Sequence, residues 1–287
     1  MPRPLRALVL GAGGYAAMSW EVGFLAGMVD SGIDPRDADV FVGTSAGAIV
    51  AAQITSGLSL DELFRRQLAA PGETESPAPK VDFKRWRDDL ARAKSGGGTP
   101  IEILRRVGSL ALAVPAGTPS DRPSVAALLP RHVWPDQRLL TVAVDVRTGE
   151  RCVFDRTSGI DFVDAVTASG AVAGISPPVT FNGHGYMDGA FYSTANADLA
   201  LGCDSVLILS LPARVPPLSV MSLEAAVEKL RASHARVVIV YPDEATEAAF
   251  ASVGGNLLDP SVSEPGARAG REQGRRVVND RSSLFWQ

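Results

Sequence analysis

Phe41-Val42-Gly43-Thr44-Ser45-Ala46-Gly47-Ala48-Ile49-Val50 decides how the rest of the chain is read. Residues 38–42 form a short apolar run that predicts a buried strand, and 46–55 continue as an uncharged helix rich in small residues. Between them Gly43 and Gly47 flank Ser45 in a G-x-S-x-G pattern. Glycine permits the sharp turn that lifts a serine hydroxyl onto a helix N-terminus. Ser45 is then either a nucleophile or a helix cap in a tight strand-to-helix turn, and the segment alone leaves both open.

Outward from this turn, apolar runs at 5–10, 139–146, 151–154, 205–211 and 235–241 read as further strands. Most are continuous, as expected when both faces of a parallel sheet are covered. Helical segments at 18–30, 162–172, 222–233 and 245–252 fall between them. The alternation predicts an α/β fold with a mainly parallel central sheet and helices on both faces. With 287 residues, 46% of them hydrophobic, one large domain over 1–287 is expected.

The stretch at about 58–135 breaks the alternation. It carries more charge, is interrupted at Ser95-Gly96-Gly97-Gly98-Thr99-Pro100, and has proline and glycine punctuation at 115–123. It reads as a cap-like insertion on the core. Within it Ile101, Leu104, Val107 and Ala111 share a helical surface, suited to an ordinary packed amphipathic helix or to a lid. Residues 263–281 carry Arg268, Arg271, Arg275, Arg276 and Arg281 and read as a solvated basic helix, with transient contact to an anionic membrane surface as the alternative.

A net charge of -4 argues against a nucleic-acid binder, because affinity for a polyanion rests on a basic surface. Cys152 and Cys203 are the only cysteines and have neither disulfide nor metal-ligand spacing. Both are expected as buried thiols in strands, with no metal and no cofactor. The N-terminal apolar run is cut short by glycines from Gly11 and lacks the length of a signal peptide, so a cytoplasmic location is expected. Residues 40–60 are uncharged but broken by Gly, Ser, Thr and Gln, which fits a strand plus a buried helix better than a membrane span.

Two further segments carry chemistry. Gly11-Ala12-Gly13-Gly14-Tyr15-Ala16 follows a predicted strand and leads into a helix, so backbone N–H groups converge where they can cradle a phosphate or an oxyanion. It also satisfies G-x-G-x-x-A, which raises a nucleotide-binding or regulatory protein as a rival reading. That reading wants an acidic residue at the end of the second strand, and Gly43-Thr44-Ser45 stands there instead. Far downstream, Asp188-Gly189-Ala190 places a carboxylate in a small-residue turn, either solvated or held beside a serine as a general base. A second rival is a Ser-His-Asp hydrolase in the chain order Ser45, Asp188 or Asp204, His234.

Taken together, the glycine loop, the G-x-S-x-G turn and Asp188-Gly189-Ala190 resemble the patatin-like phospholipase family, in the family's order, from Leu8 to about Asn196. The resemblance implies a three-layer α/β/α fold and a lipid acyl hydrolase acting on an ester substrate. It assigns Ser45 to nucleophilic attack, Asp188 to proton transfer without histidine, and Gly13 and Gly14 to the oxyanion hole. Gly11, Gly43, Gly47 and Gly189 support those motifs. Ala168-Ser169, Pro177-Pro178-Val179 and Asn196 also look like the family's segment around its aspartate. The family's loop commonly reads G-G-G-x-[RK]-G, whereas Ala16 and Ala17 stand here in place of the basic residue and the last glycine. Backbone donors alone must then serve the oxyanion, and a catalytically weakened regulatory protein on the same fold is the alternative.

Overall fold

The computed structural model describes residues 3–69, 82–115, 117–118, 120–212, 219–254 and 256–281. Among these residues eight strands form one sheet: β1 (Arg6–Leu10), β2 (Val40–Gly43), β3 (Arg138–Asp145), β4 (Arg151–Phe154), β5 (Val179–Phe181), β6 (His184–Asp188), β7 (Ser205–Leu209) and β8 (Arg236–Val240). The helices are α1 (Gly14–Asp30), α2 (Ala46–Ile54), α3 (Leu60–Leu68), α4 (Phe83–Ser95), α5 (Pro100–Leu112), α6 (Arg122–Leu128), α7 (Phe162–Ser169), α8 (Leu223–Ala232), α9 (Glu244–Ser252) and α10 (Ser263–Arg281). Strands β3, β2, β1, β7 and β8 lie side by side and parallel, while β4, β5 and β6 pair antiparallel. The sheet is mixed but parallel at its centre.

Side-chain alternation along the central strands builds the three layers. Leu8 and Leu10 of β1, Phe41 of β2 and Leu207 and Leu209 of β7 point into a core shared with α1, α2, α3 and α10. Their neighbours Ala7, Val9, Val40, Val42, Val206 and Ile208 point to the opposite face, onto α8 and the segment 195–203. Period-two alternation with both faces apolar is what a helix-covered sheet requires.

The register of β3 positions the site. Gly43, the last residue of β2, pairs with Thr141, and Asp188, the last residue of β6, pairs with Ala143. β4 runs along one edge of β3 past both points, from Thr141 to Val144. A strand has only two edges, so β2 and β6 must share the other. Running in opposite directions, they bring their carboxyl ends together. β6 and β5 were not anticipated from the sequence, and Asp188, expected in a turn, closes a strand.

Within 58–135, α3 joins the main core through Leu60, Leu63 and Phe64. α4 and α5 instead cover the far end of β3 with Leu90, Ala93, Leu104, Val107 and Ala111 packed on Val144, Val146, Ala173 and Met187. Pro100 at the first turn and a Thr99–Glu102 capping box start α5. Residues 70–81 of the same stretch, and Ala116 and Pro119 of its 115–123 punctuation, lie outside the described residues.

The expectation of a solvated basic helix over 263–281 is corrected. Gly266, Gly270 and Gly274, spaced by four, put one face of α10 against α1, where Gly23 and Gly27 receive it. The Trp20 indole N–H donates to Gln273 Oε1 at 2.7 Å, and Gln273 Nε2 donates to the Tyr241 carbonyl at 2.7 Å. The arginines are paired with acids: Arg271 and Arg275 with Asp30, Arg276 with Asp243, Arg268 with Glu264. A Cβ at Gly27 would collide with the Arg271 carbonyl oxygen. Gly27→Ala is therefore expected to push α10 outward and cost ~2–3 kcal/mol, read as a lower urea midpoint; an unchanged midpoint would mean that the two backbones do not need this approach.

Cys152 sits in β4 and is partly buried, whereas Cys203 is buried just ahead of β7 rather than in a strand. Among the described residues no helix is long and apolar enough to cross a membrane.

Candidate active site

β2 ends at Gly43 and α2 begins at Ala46, leaving Thr44 and Ser45 to reverse the chain. Ser45 takes φ 56° and ψ −120°, a left-handed conformation that costs a residue with a side chain about 1–3 kcal/mol. The surroundings hold it there. Thr44 N–H donates to the Leu10 carbonyl at 3.1 Å, Gly47 N–H to the Gly11 carbonyl at 3.1 Å, and Ser45 N–H to Ser169 Oγ at 3.0 Å. Gly47 is required by close approach, because a Cβ there would run into the Leu10 carbonyl.

Opposite the elbow, Asp188 is 3% exposed. Its N–H donates to the Ala171 carbonyl at 2.8 Å, and its Oδ1 accepts from the Ala190 N–H at 2.8 Å. The Ser45 hydroxyl lies close enough to the same carboxylate to favour its charged form. Burial pushes the Asp188 carboxyl up to about 7, against the smaller lowering by the Ala190 amide and the Ser45 hydroxyl. A Cβ at Gly189 would collide with the Val142 carbonyl, so the chain leaves β6 tight against β3.

Asn196 ties the two halves together. It is fully buried in the left-handed region at φ 48°. Its Nδ2 donates to Thr44 Oγ1 at 3.1 Å, beside the serine, and to the Ser193 carbonyl at 2.7 Å. Arg151, held by Asp198 through contacts of 2.8 and 2.9 Å, reaches Asn196 Oδ1 at 3.4 Å and stacks over Tyr192.

The glycine loop is fastened to the same elbow. Gly11 N–H is shared between the Leu209 carbonyl at 3.0 Å and Glu21 Oε1 at 2.9 Å, and Ala12 N–H donates to the Thr194 carbonyl at 2.8 Å. Among the described residues the Gly13 and Gly14 amides donate to no other backbone group. α1 starts at Gly14, four residues earlier than the sequence pattern placed it. Ala16 and Ala17 are buried, and Ala16 N–H donates to the Leu257 carbonyl at 3.2 Å. The 257–258 segment thus lies on the loop where a basic side chain would otherwise need room.

Glu21 was not singled out from the sequence. It is completely buried in α1, its Oε2 has no hydrogen-bond partner among the described residues, and burial raises its carboxyl well above the ordinary range. The signal was available as the one acid in the interior of an apolar helix whose other acid, Asp30, is its last residue. Ser169 and Asn196 were noted only as part of the family resemblance, because contacts 124 and 152 residues away along the chain have no local pattern.

The rival residues lie elsewhere. Asp204 and His234 precede β7 and β8 and so sit at the amino edge of the parallel strands, opposite the carboxyl edge that carries Ser45. Asp204 accepts from the Leu5 N–H there. His184 opens β6, a strand length from Asp188, and contacts Asp145 at 2.8 Å. His132 contacts the Ala126 carbonyl at 2.9 Å. No histidine among the described residues joins Ser45. In the glycine loop, two amides that a nucleotide phosphate would need are already engaged, and no group of acidic, histidine or cysteine side chains among the described residues is placed to hold a metal ion.

The sequence model of the patatin-like phospholipase family matches residues 8–201, more than half of the chain and the span that contains the glycine loop, Ser45, Ser169, Asp188 and Asn196. The chain belongs to the patatin-like phospholipase family. It thereby carries the domain of a family of lipid ester hydrolases. No curated protein matches it. Solved structures similar to this patatin-like chain include VipD from Legionella pneumophila, at 10% identity and a TM-score of 0.47, covering 97% of this chain and 67% of that one. ExoU in its heterodimeric complex with SpcU, from the type III secretion system of Pseudomonas aeruginosa, is similar at 18% identity and a TM-score of 0.42, covering 97% and 52%. The patatin-like chain spans about two thirds of VipD and about half of ExoU.

Proposed function

We propose that this chain is a serine acyl hydrolase that cleaves lipid carboxylic esters, in the manner of a phospholipase A, through a Ser45–Asp188 dyad. The observation that carries the reading is a strained serine at a helix N-terminus beside a buried carboxylate whose pKa is lifted to about 7. An ordinary aspartate is too weak a base to take a serine proton, and burial strengthens it near working pH.

The contacts support the following steps. Ser45 Oγ bonds to the ester carbonyl carbon while its proton passes to Asp188, and the carbonyl oxygen becomes an oxyanion facing the Gly13 and Gly14 amides. Asp188 then gives that proton to the departing alcohol oxygen as the C–O bond breaks, leaving an acyl-Ser45. Water adds to the acyl carbon with Asp188 taking its proton. Collapse breaks the bond to Ser45, and the proton returns to Oγ. Ser169 and Asn196 position the elbow, and Glu21 positions the loop. In this proposal the whole chain is one catalytic domain, α4 and α5 form a cap over the far end of β3, and contact with a lipid surface is transient.

The test is labelling with a fluorophosphonate followed by turnover of p-nitrophenyl esters. The wild type is expected to be labelled on Ser45 and to turn over, and Ser45→Ala to do neither, with a loss in kcat on the order of 10⁴-fold or more. A wild type that is neither labelled nor active would instead support a regulatory protein on the same fold.

A further inference from the structure

The residue that follows the serine-positioning Ser169 has no side chain, and its missing Cβ points at the nucleophile. Gly170 ends α7 with φ −111° and ψ 7°, a conformation open to any L-residue. A Cβ built there would have two heavy atoms within 4 Å beyond its chain neighbours, Ser45 Oγ at 3.9 Å and the Thr167 carbonyl oxygen at 3.9 Å, and otherwise open space. The backbone therefore has no need of glycine here, in contrast to Gly43, Gly47 and Gly189, each of which is pressed against backbone atoms. What glycine leaves is room beside the Ser45 hydroxyl.

That room is where the substrate must be. A carbonyl carbon attacked by Ser45 has to come within about 3–3.5 Å of Oγ, so the groups flanking it share the space that a side chain at 170 would fill. We propose that Gly170 is a specificity-determining residue that sets how much bulk the site accepts directly beside the scissile carbonyl, admitting esters branched next to that carbon. The inference rests on Ser45 being the nucleophile. A β-carbon at 170 would stand at ordinary contact distance from Oγ and narrow the site, and the γ-methyl groups of valine would reach further into it.

Gly170→Ala and Gly170→Val test this in the full chain. Two substrate pairs are compared, p-nitrophenyl acetate with p-nitrophenyl isobutyrate for bulk on the acyl side, and methyl with isopropyl butyrate for bulk on the alcohol side. Both variants are expected to melt close to the wild type and to keep Ser45-dependent turnover of the unbranched esters, so that the ratio within each pair is the readout. In at least one pair the branched-to-unbranched ratio of kcat/KM should fall about tenfold or more for Gly170→Val, with Gly170→Ala between. Equal loss on all four esters, or unchanged ratios in both pairs while turnover still depends on Ser45, would overturn this inference alone. Wild-type turnover that survives Ser45→Ala would overturn the Ser45 reading and this one with it.

Discussion

Asp188→Asn is expected to lower kcat about 10²–10⁴-fold while leaving KM nearly unchanged, the loss typical of removing a general base. Asparagine keeps the shape of the side chain. Its oxygen still accepts from the Ala190 N–H and its amide still reaches Ser45, but it cannot take a proton. The same substitution should make the protein more stable at alkaline pH. With its folded-state pKa raised to about 7 from an ordinary 3.8, Asp188 binds more protons in the folded chain than in the unfolded one across that interval. Stability is therefore lost as pH rises from about 4 to about 7 and stays lost above, a cost of ~2–4 kcal/mol that Asn avoids. Urea unfolding at pH 5 and pH 8 reads this directly, and the gain of Asp188→Asn over wild type should be larger at pH 8. A variant less stable than wild type at pH 8 would show that the ionised carboxylate is not costly where it sits.

The pH dependence of turnover is the second large effect. If Asp188 must be ionised to accept the serine proton, kcat/KM should rise tenfold per pH unit below about 7 and level off above it, giving on the order of a hundredfold between pH 5 and pH 8. A profile already flat at pH 5 would mean that the acting base has an ordinary carboxylate pKa, and Asp188 would lose its role. Stability and activity run in opposite directions over the same interval, because the charge that burial penalises is the charge that removes the proton. A histidine base would give a similar limb, but no histidine among the described residues reaches Ser45, and loss of the limb in Asp188→Asn assigns it to the carboxylate.

Much of the parallel half of the fold was readable because local pattern and tertiary role coincide there. Apolar runs such as 5–10 and 205–211 were recognisable as covered strands, and β1 and β7 occupy nearly those bounds. The antiparallel edge was not. β5 has three residues and β6 begins with an exposed histidine and a glycine, so neither shows an apolar run. α10 was misread for a related reason. Its composition is polar and basic, and the information for its burial lies in Gly266, Gly270 and Gly274, where absent side chains let two helix backbones approach. The matching pair Gly23 and Gly27 on α1 carries the same four-residue spacing and was legible in principle.

The sequence by itself determined the elbow at Ser45, the glycine loop before it and the family to which their order belongs, since each is a short-range demand of backbone geometry on residue type. Only the tertiary structure decided that Asp188 meets Ser45. β2 stops at Gly43 while β3 runs on to Asp145, which leaves an unpaired edge that β6 fills from the opposite direction, so two residues 143 positions apart finish beside each other. The burial that lifts Asp188 towards neutral pH arises from that same closure, because no single segment can exclude water from its own carboxylate.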